Sequence, residues 1–162
     1  MEIKEFYHKN NIRLSVFNLT SQGIGFHRHQ IVSDISVCTK GNVEVQLLDQ
    51  QHSYRLSPWE YFQVQNNCWH RVIAADSCST ARYVLIQLGD FDIEFAEAMQ
   101  QPKLNETFVS MRYEEKLPLI SEMGPELSLL GDLFERHPHR ELSQEENSDV
   151  IQGIRLILSK TK

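Results

Sequence analysis

Between Ile12 and Leu88 the chain is a succession of short runs rich in β-branched and aromatic residues, each closed by glycine, proline, asparagine, aspartate or serine. Such punctuation is the pattern of antiparallel strands packed as a sandwich or closed as a barrel. The expected strands span 12–19, 24–29, 34–39, 43–48, 53–56, 61–65, 69–74 and 82–88. An earlier run from Ile3 to His8 is placed to pair with an edge strand or to cross to a second subunit. Lys40-Gly41-Asn42 marks a tight hairpin, because glycine and asparagine accept positive φ, and Asp49-Gln50-Gln51 marks a second.

One of these strands carries His27-Arg28-His29, followed by Asp34 and Gly41, and a later strand carries His70. Side chains at i and i+2 of a strand share one face, so His27 and His29 present their imidazoles together. Three neutral imidazoles and a carboxylate form a complete ligand set for one divalent ion, of the kind that suits Fe, Mn, Ni, Zn or Cu. Parity extends the argument. If His27 and His29 face the interior, then His70, Val72 and Ala74 can do so on their strand, and Asp34, Ser36 and Cys38 on theirs. Polar groups near one mouth with apolar groups deeper is how a binding cavity is built.

The order and spacing of His27, His29, Asp34 and Gly41 resemble the first motif of the cupin superfamily, a His-x-His pair followed by an acidic residue and a glycine. The second motif is carried by His70, with Leu56-Ser57-Pro58 as its opening turn. Trp59-Glu60 replaces the usual glycine-aspartate pair, and Asn67 stands where glycine is expected, a substitution that the left-handed region tolerates. Ser21 replaces the glycine ahead of the first histidine, and Asp34 is one methylene shorter than the usual glutamate, so its strand must draw inward for it to reach an ion.

The resemblance covers residues 12 to 95 and implies an all-β fold with C-terminal helices, its core a cupin-type antiparallel β-barrel (a double-stranded β-helix or jelly roll). It also implies metal binding by His27, His29, Asp34 and His70 and an enzyme acting on a small organic molecule, an oxygenase first and an isomerase or lyase next. Tyr83 is the candidate catalytic acid, since phenols near a divalent metal enter acid–base chemistry. Tyr61, Gln63, Trp69 and Gln87 are further candidates to line the cavity. Two other functions fit the same fold. A metal-free nucleotide-sugar epimerase or ketoisomerase would use Arg28, Arg55, Arg71 and Arg82 for a diphosphate. A sensing barrel would bind a small molecule without turnover.

Beyond Gly89 the pattern changes. Phe91, Phe95, Ala98 and Met99 approach helical spacing until Pro102, and 107–113 reads as one more strand. Leu127, Leu130, Leu133 and Phe134 form an apolar stripe behind Pro125, and Ser148-Asp149 can cap a helix that turns Val150, Ile151, Ile154, Ile157 and Leu158 inward. The chain therefore divides into a barrel core at 1–95 and a mainly helical extension at 96–162 that packs on the barrel or on the partner of a homodimer.

A net charge of −6 without a lysine or arginine cluster argues against a nucleic-acid partner. No apolar run approaches the roughly 20 residues that cross a bilayer, and Met1-Glu2-Ile3-Lys4-Glu5 lacks a signal-peptide core, so no membrane partner and a cytoplasmic location are expected. Cys38, Cys68 and Cys78 show no C-x-x-C spacing, which points to neither a disulfide framework nor a thiolate metal site. Nucleophile-elbow, P-loop and dinucleotide-binding glycine motifs are absent.

Overall fold

The computed structural model describes residues 1–9, 12–19, 23–58, 60–76, 80–97 and 108–111. They form β1 (Glu2–Lys9), β2 (Ile12–Leu19), β3 (His27–Arg28), β4 (Ser33–Lys40), β5 (Val43–Leu47), β6 (His52–Leu56), β7 (Tyr61–Val64), β8 (His70–Ala74), β9 (Ala81–Leu88), β10 (Glu94–Phe95) and β11 (Val109–Met111). The first sheet runs β1-β2-β9-β4-β7 and the second β10-β3-β8-β5-β6-β11. Every pairing is antiparallel except that of β11 with β6, which is parallel. No helix occurs among the described residues.

From β3 to β10 only the β5–β6 link joins consecutive strands of one sheet, and every other connection crosses between the two. This crossing corrects one expectation. Lys40-Gly41-Asn42 does make a tight turn, with Gly41 at φ 66°, but it carries the chain from β4 in the first sheet to β5 in the second and closes no hairpin. A side chain on Gly41 would start 2.7 Å from the Thr80 carbonyl oxygen, so the corner is packed against the link that enters β9. Positive φ suits a hairpin and a corner equally, which is why local chemistry could not separate them. The hairpin at 48–51 forms as expected, and Asn67 takes φ 62° before β8.

A second correction concerns the segment after Gly89. Up to Glu97 it forms no helix, and β10 pairs with β3 in place of the expected one. Phe91 and Phe95 are four positions apart, an even spacing that also satisfies the two-residue period of a strand, with Ile93 between them and Asp92 and Glu94 at the alternate positions. The later part of that expected helix and the stripes at 127–134 and 150–158 lie outside the described residues. The short β11 falls inside the expected strand at 107–113.

Between the sheets, Phe17, Leu19, Cys38, Val43, Val45, Leu56, Phe62, Val72, Ala74, Tyr83 and Leu85 form the buried core. Burying side chains of this size stabilises by about 1.5 to 3 kcal/mol each. The faces turned toward this core grade from polar to apolar along each strand: Ser15, Phe17, Leu19 on β2; Asp34, Ser36, Cys38 on β4; His70, Val72, Ala74 on β8; Gln87, Leu85, Tyr83 on β9. All the polar ends lie at the same mouth, because the registers align them. Across the first sheet one row reads Arg13, Gln87, Asp34, Val64, and across the second Phe95, His27, His70, Leu47. On β2, β4 and β9 the opposite faces are buried as well, through Leu14, Val16, Ile35, Val37, Val84 and Ile86.

Candidate metal centre

His27 and His70 are directly paired across β3 and β8, and their rings lie 4.4 Å apart. His29, just beyond β3, turns its ring to the same side, 5.3 Å from that of His27 and 5.7 Å from that of His70. Asp34 reaches the group from the opposing sheet. All four residues are buried, and one ligand atom from each lies within 4.8 Å of the others.

The backbone decides which nitrogen each ring turns inward. His27 Nδ1–H donates to the Gly25 carbonyl at 2.9 Å, His70 Nδ1–H to the Cys68 carbonyl at 2.9 Å, and His29 Nδ1–H to the Asp92 carbonyl. A carbonyl can only accept, so each Nδ1 holds the proton of the neutral ring and each Nε2 carries a bare lone pair. These lone pairs converge on Asp34: its Oδ2 lies 3.1 Å from His29 Nε2 and 3.3 Å from His70 Nε2. A lone pair facing a carboxylate oxygen is not a hydrogen bond, and His29 Nε2 is a buried nitrogen without a hydrogen-bond partner. Such an arrangement needs a proton or a cation between the acceptors.

The spacing of Asp34 to His29 and to His70 fits a cation. Two donors about 2.1 Å from one ion, subtending about 90 to 109°, lie about 3.0 to 3.4 Å apart. The shorter aspartate comes within reach of two histidines, and Gln87 Nε2–H, donating to Asp34 Oδ1 at 3.0 Å, leaves Oδ2 to them. Without a cation the same geometry sets the protonation. Burial, reinforced by the charge of His70, lowers the His27 pKa to about 4. Burial also acts to lower His29, but Asp34 outweighs it: a proton on Nε2 would donate to the carboxylate and sit against its charge, which raises the ring above its ordinary value. Burial alone would raise the Asp34 carboxyl, yet His29 and His70 hold it well below the usual carboxylate range.

Asp92 organises this side of the mouth. Its carboxylate accepts the backbone N–H groups of Gln30, Ile31 and Val32, while its carbonyl holds the His29 ring. Partners of this kind around a ligating histidine typically change metal affinity about 10- to 100-fold. Replacing Asp92 by alanine keeps the carbonyl but frees the 30–32 backbone, and metal affinity is expected to fall by about that factor, read by competition with a chelating dye. Asp92→Asn, which retains one acceptor oxygen, should fall between the two; an unchanged affinity in Asp92→Ala would show that the loop holds itself.

All four residues expected to bind metal come together. The other candidates disperse. Tyr83 is buried in the core, stacked on Phe17 at 4.7 Å and paired with Cys38, four residues along β9 from Gln87. Tyr61 and Gln63 alternate with the core residues Phe62 and Val64 and so face away from the interior. Trp69 lies on the outer side, under the Arg28 guanidinium at 4.5 Å. Of the arginines proposed for a diphosphate, Arg28 pairs with Glu94 at the mouth and Arg71, beside His70, donates to Gln46 and lies over Phe26, whereas Arg55 pairs with Asp76, and Arg82 with Asn18 beside Lys40, toward the other end of their strands. Asp92 escaped the sequence reading because the helical spacing assigned to its segment hid the alternation of Phe91, Ile93 and Phe95 with the two carboxylates.

Two sheets joined by repeated crossings, with histidines from one and a carboxylate from the other at a shared mouth, define a double-stranded β-helix with a metal-type donor cluster. No protein-family model and no curated sequence matches the chain. Solved structures do. A cupin 2 domain-containing protein from Halorhodospira halophila superposes with a TM-score of 0.53 and 14% identity, covering 60% of this chain and 70% of that one. A cupin-like protein from Thermotoga maritima gives 0.53 and 15%, covering 58% and 74%. A cupin-2 domain protein from Rhodospirillum rubrum gives 0.52 and 13%, covering 60% and 66%. The chain has the cupin fold. Among the described residues no helix is long and apolar enough to cross a membrane.

Proposed function

We propose that His27, His29, Asp34 and His70 hold one divalent cation and that the protein is a metal-dependent enzyme acting on a small organic molecule. Oxygenation is the first reaction class, and isomerisation or elimination next to a carbonyl the second. The observation that carries this reading is the convergence of buried imidazole lone pairs on one carboxylate oxygen, with His29 Nε2 left without a hydrogen-bond partner. When bound, the ion supplies Lewis acidity and, as iron, the activation of dioxygen. The chain's own contribution is orientation: the carbonyls of Gly25, Cys68 and Asp92 fix the rings, and Gln87 fixes the carboxylate. Val72, Val45 and Leu85, one step deeper along their strands, close the floor beneath them.

Tyr83 lies below Leu85 on the same face of β9, stacked on Phe17, and so stands beneath that floor and not among the donors. Burial, with the charge of Asp34 added, holds its phenol well above the ordinary value, so it keeps its proton at neutral pH. The dispersal of Arg55 and Arg82 favours the metal-dependent reading over a diphosphate-binding epimerase.

The test is oxygen uptake by protein loaded anaerobically with Fe(II), against small keto acids, enols and catechols, beside Mn(II), Ni(II) and Zn(II) forms assayed for isomerised or eliminated products. Turnover dependent on the loaded metal is expected. Tight binding of these compounds without turnover by any loaded form would overturn the enzyme in favour of a sensing barrel.

A further inference from the structure

Phe91, Ile93 and Phe95 are large apolar side chains exposed by 47%, 38% and 55% of their surface. Surface phenylalanines scattered singly mean little, but these three share one strip. The register says which way it faces. Phe95 is the direct cross-strand partner of His27, and partners in a sheet stand on the same face. His27 points at the candidate centre, so Phe95 stands on that side, and ring centroids 5.9 Å apart put the two in contact range. Phe91 stands against His29 at 6.1 Å in the same way, and the exposed Ile93 lies between the two in the chain.

The opposite face of the segment is used for attachment. Asp92 caps the 30–32 backbone, Glu94 pairs with Arg28, and the Ala96 N–H donates to the Phe26 carbonyl. Arg13, held by Glu5, lays its guanidinium over Phe91 at 4.5 Å and so fixes that ring at the edge of the first sheet. The imidazoles themselves are buried. An apolar strip half open to solvent, standing on the same side as buried donors, is a wall of the way in.

From this we infer that the substrate is a small amphiphile, an aromatic or otherwise apolar body bearing a carboxylate or enolate head. The body lies on Phe91, Ile93 and Phe95, and the head reaches the ion held by the three histidines and Asp34. The inference rests on the metal reading above. It disfavours polyhydroxylated sugars, which would leave their hydroxyls against this wall without partners.

Calorimetric titration of the metal-loaded protein with 3-phenylpropanoate and with propanoate tests it, since the two differ by one phenyl ring. The phenyl compound is expected to bind at least about tenfold more tightly. Phe91→Ala/Phe95→Ala should bring the ratio close to one while metal content and propanoate affinity stay as they were; the single Phe95→Ala, at a more exposed position, gives an intermediate ratio if the double variant folds poorly. Equal affinities in a fully loaded wild-type protein would overturn the wall and leave the metal site standing. Selective binding of the phenyl compound by protein that loads no metal would instead overturn the coordinated head and the metal reading together, while keeping the wall. A wild-type dimer that the double variant converts to monomer, with a ratio near one in both, would make the strip a subunit contact and sink the proposal.

Discussion

Protein purified without chelators or an affinity tag is expected to carry about one equivalent of a divalent first-row metal, and the His27→Ala/His29→Ala variant none. The size of this effect follows from the geometry. Two of four donors are removed, and the remaining pair, Asp34 and His70, comes from strands of different sheets with 3.3 Å between the facing atoms. Two donors leave most of the coordination positions to solvent. Elemental mass spectrometry on both proteins reads the outcome, with far-ultraviolet circular dichroism to show that the variant is folded. A His27→Gln/His29→Gln pair, closer in volume, repeats the test should the alanines loosen the mouth. If wild-type protein stays empty after reconstitution with Fe, Mn, Ni and Zn at neutral pH, the metal reading is wrong. Occupancy should also fall on acidification, because imidazole must be neutral to coordinate.

Chelator-treated protein should lose about 3 kcal/mol of stability as pH falls from about 6.5 to 4, through His27 alone. In the folded, metal-free chain this ring has its pKa lowered to about 4, first by burial and then by His70, against 6.5 for an exposed histidine. Between those values the unfolded chain binds the extra proton and the folded chain does not, so the contribution is fully present above about 6.5 and drains away toward 4. His29 runs the other way. Its raised pKa gives stability that is present below 6.5 and lost as pH rises through the raised value, so it offsets part of the loss. The Asp34 contribution is present above the usual carboxylate range and fades only at more acid pH. Urea unfolding at a series of pH values, wild type against His27→Gln, isolates the ring of interest. The wild-type curve should fall more steeply between 6.5 and 4; parallel curves would mean that His27 titrates normally and is not held neutral by burial.

Much of the barrel was legible because strands obey a two-residue period that survives any tertiary context. The run from Ile12 to Leu19 became β2 at its expected bounds, and β4 to β9 each overlap an expected strand. His27 and His29 were legible for the same reason: adjacency along one strand sets a shared face, whatever the partner strands are. Errors came where two structures share one local signal. A left-handed glycine serves a hairpin or a corner, and Gly41 makes the corner. Phenylalanines four apart suit a helix or a strand, and at Phe91 and Phe95 the strand prevails because Asp92 and Glu94 find the 30–32 backbone and Arg28 across from them.

Taken alone, then, the sequence determined an all-β core, the shared face of the two histidines, and the chemistry of a donor set that included Asp34 and His70. Those are properties of residue type and of short-range periodicity. Only the tertiary structure decided that His27 pairs with His70, that Asp34 arrives from the opposing sheet level with Gln87, and that Asp92 locks the His29 ring from far along the chain. Registers between distant strands depend on which sheet each strand joins, and that choice is made by the burial of whole faces, not by any local signal. The direction in which each imidazole presents its lone pair depends in turn on single backbone carbonyls, which no pattern of side chains encodes.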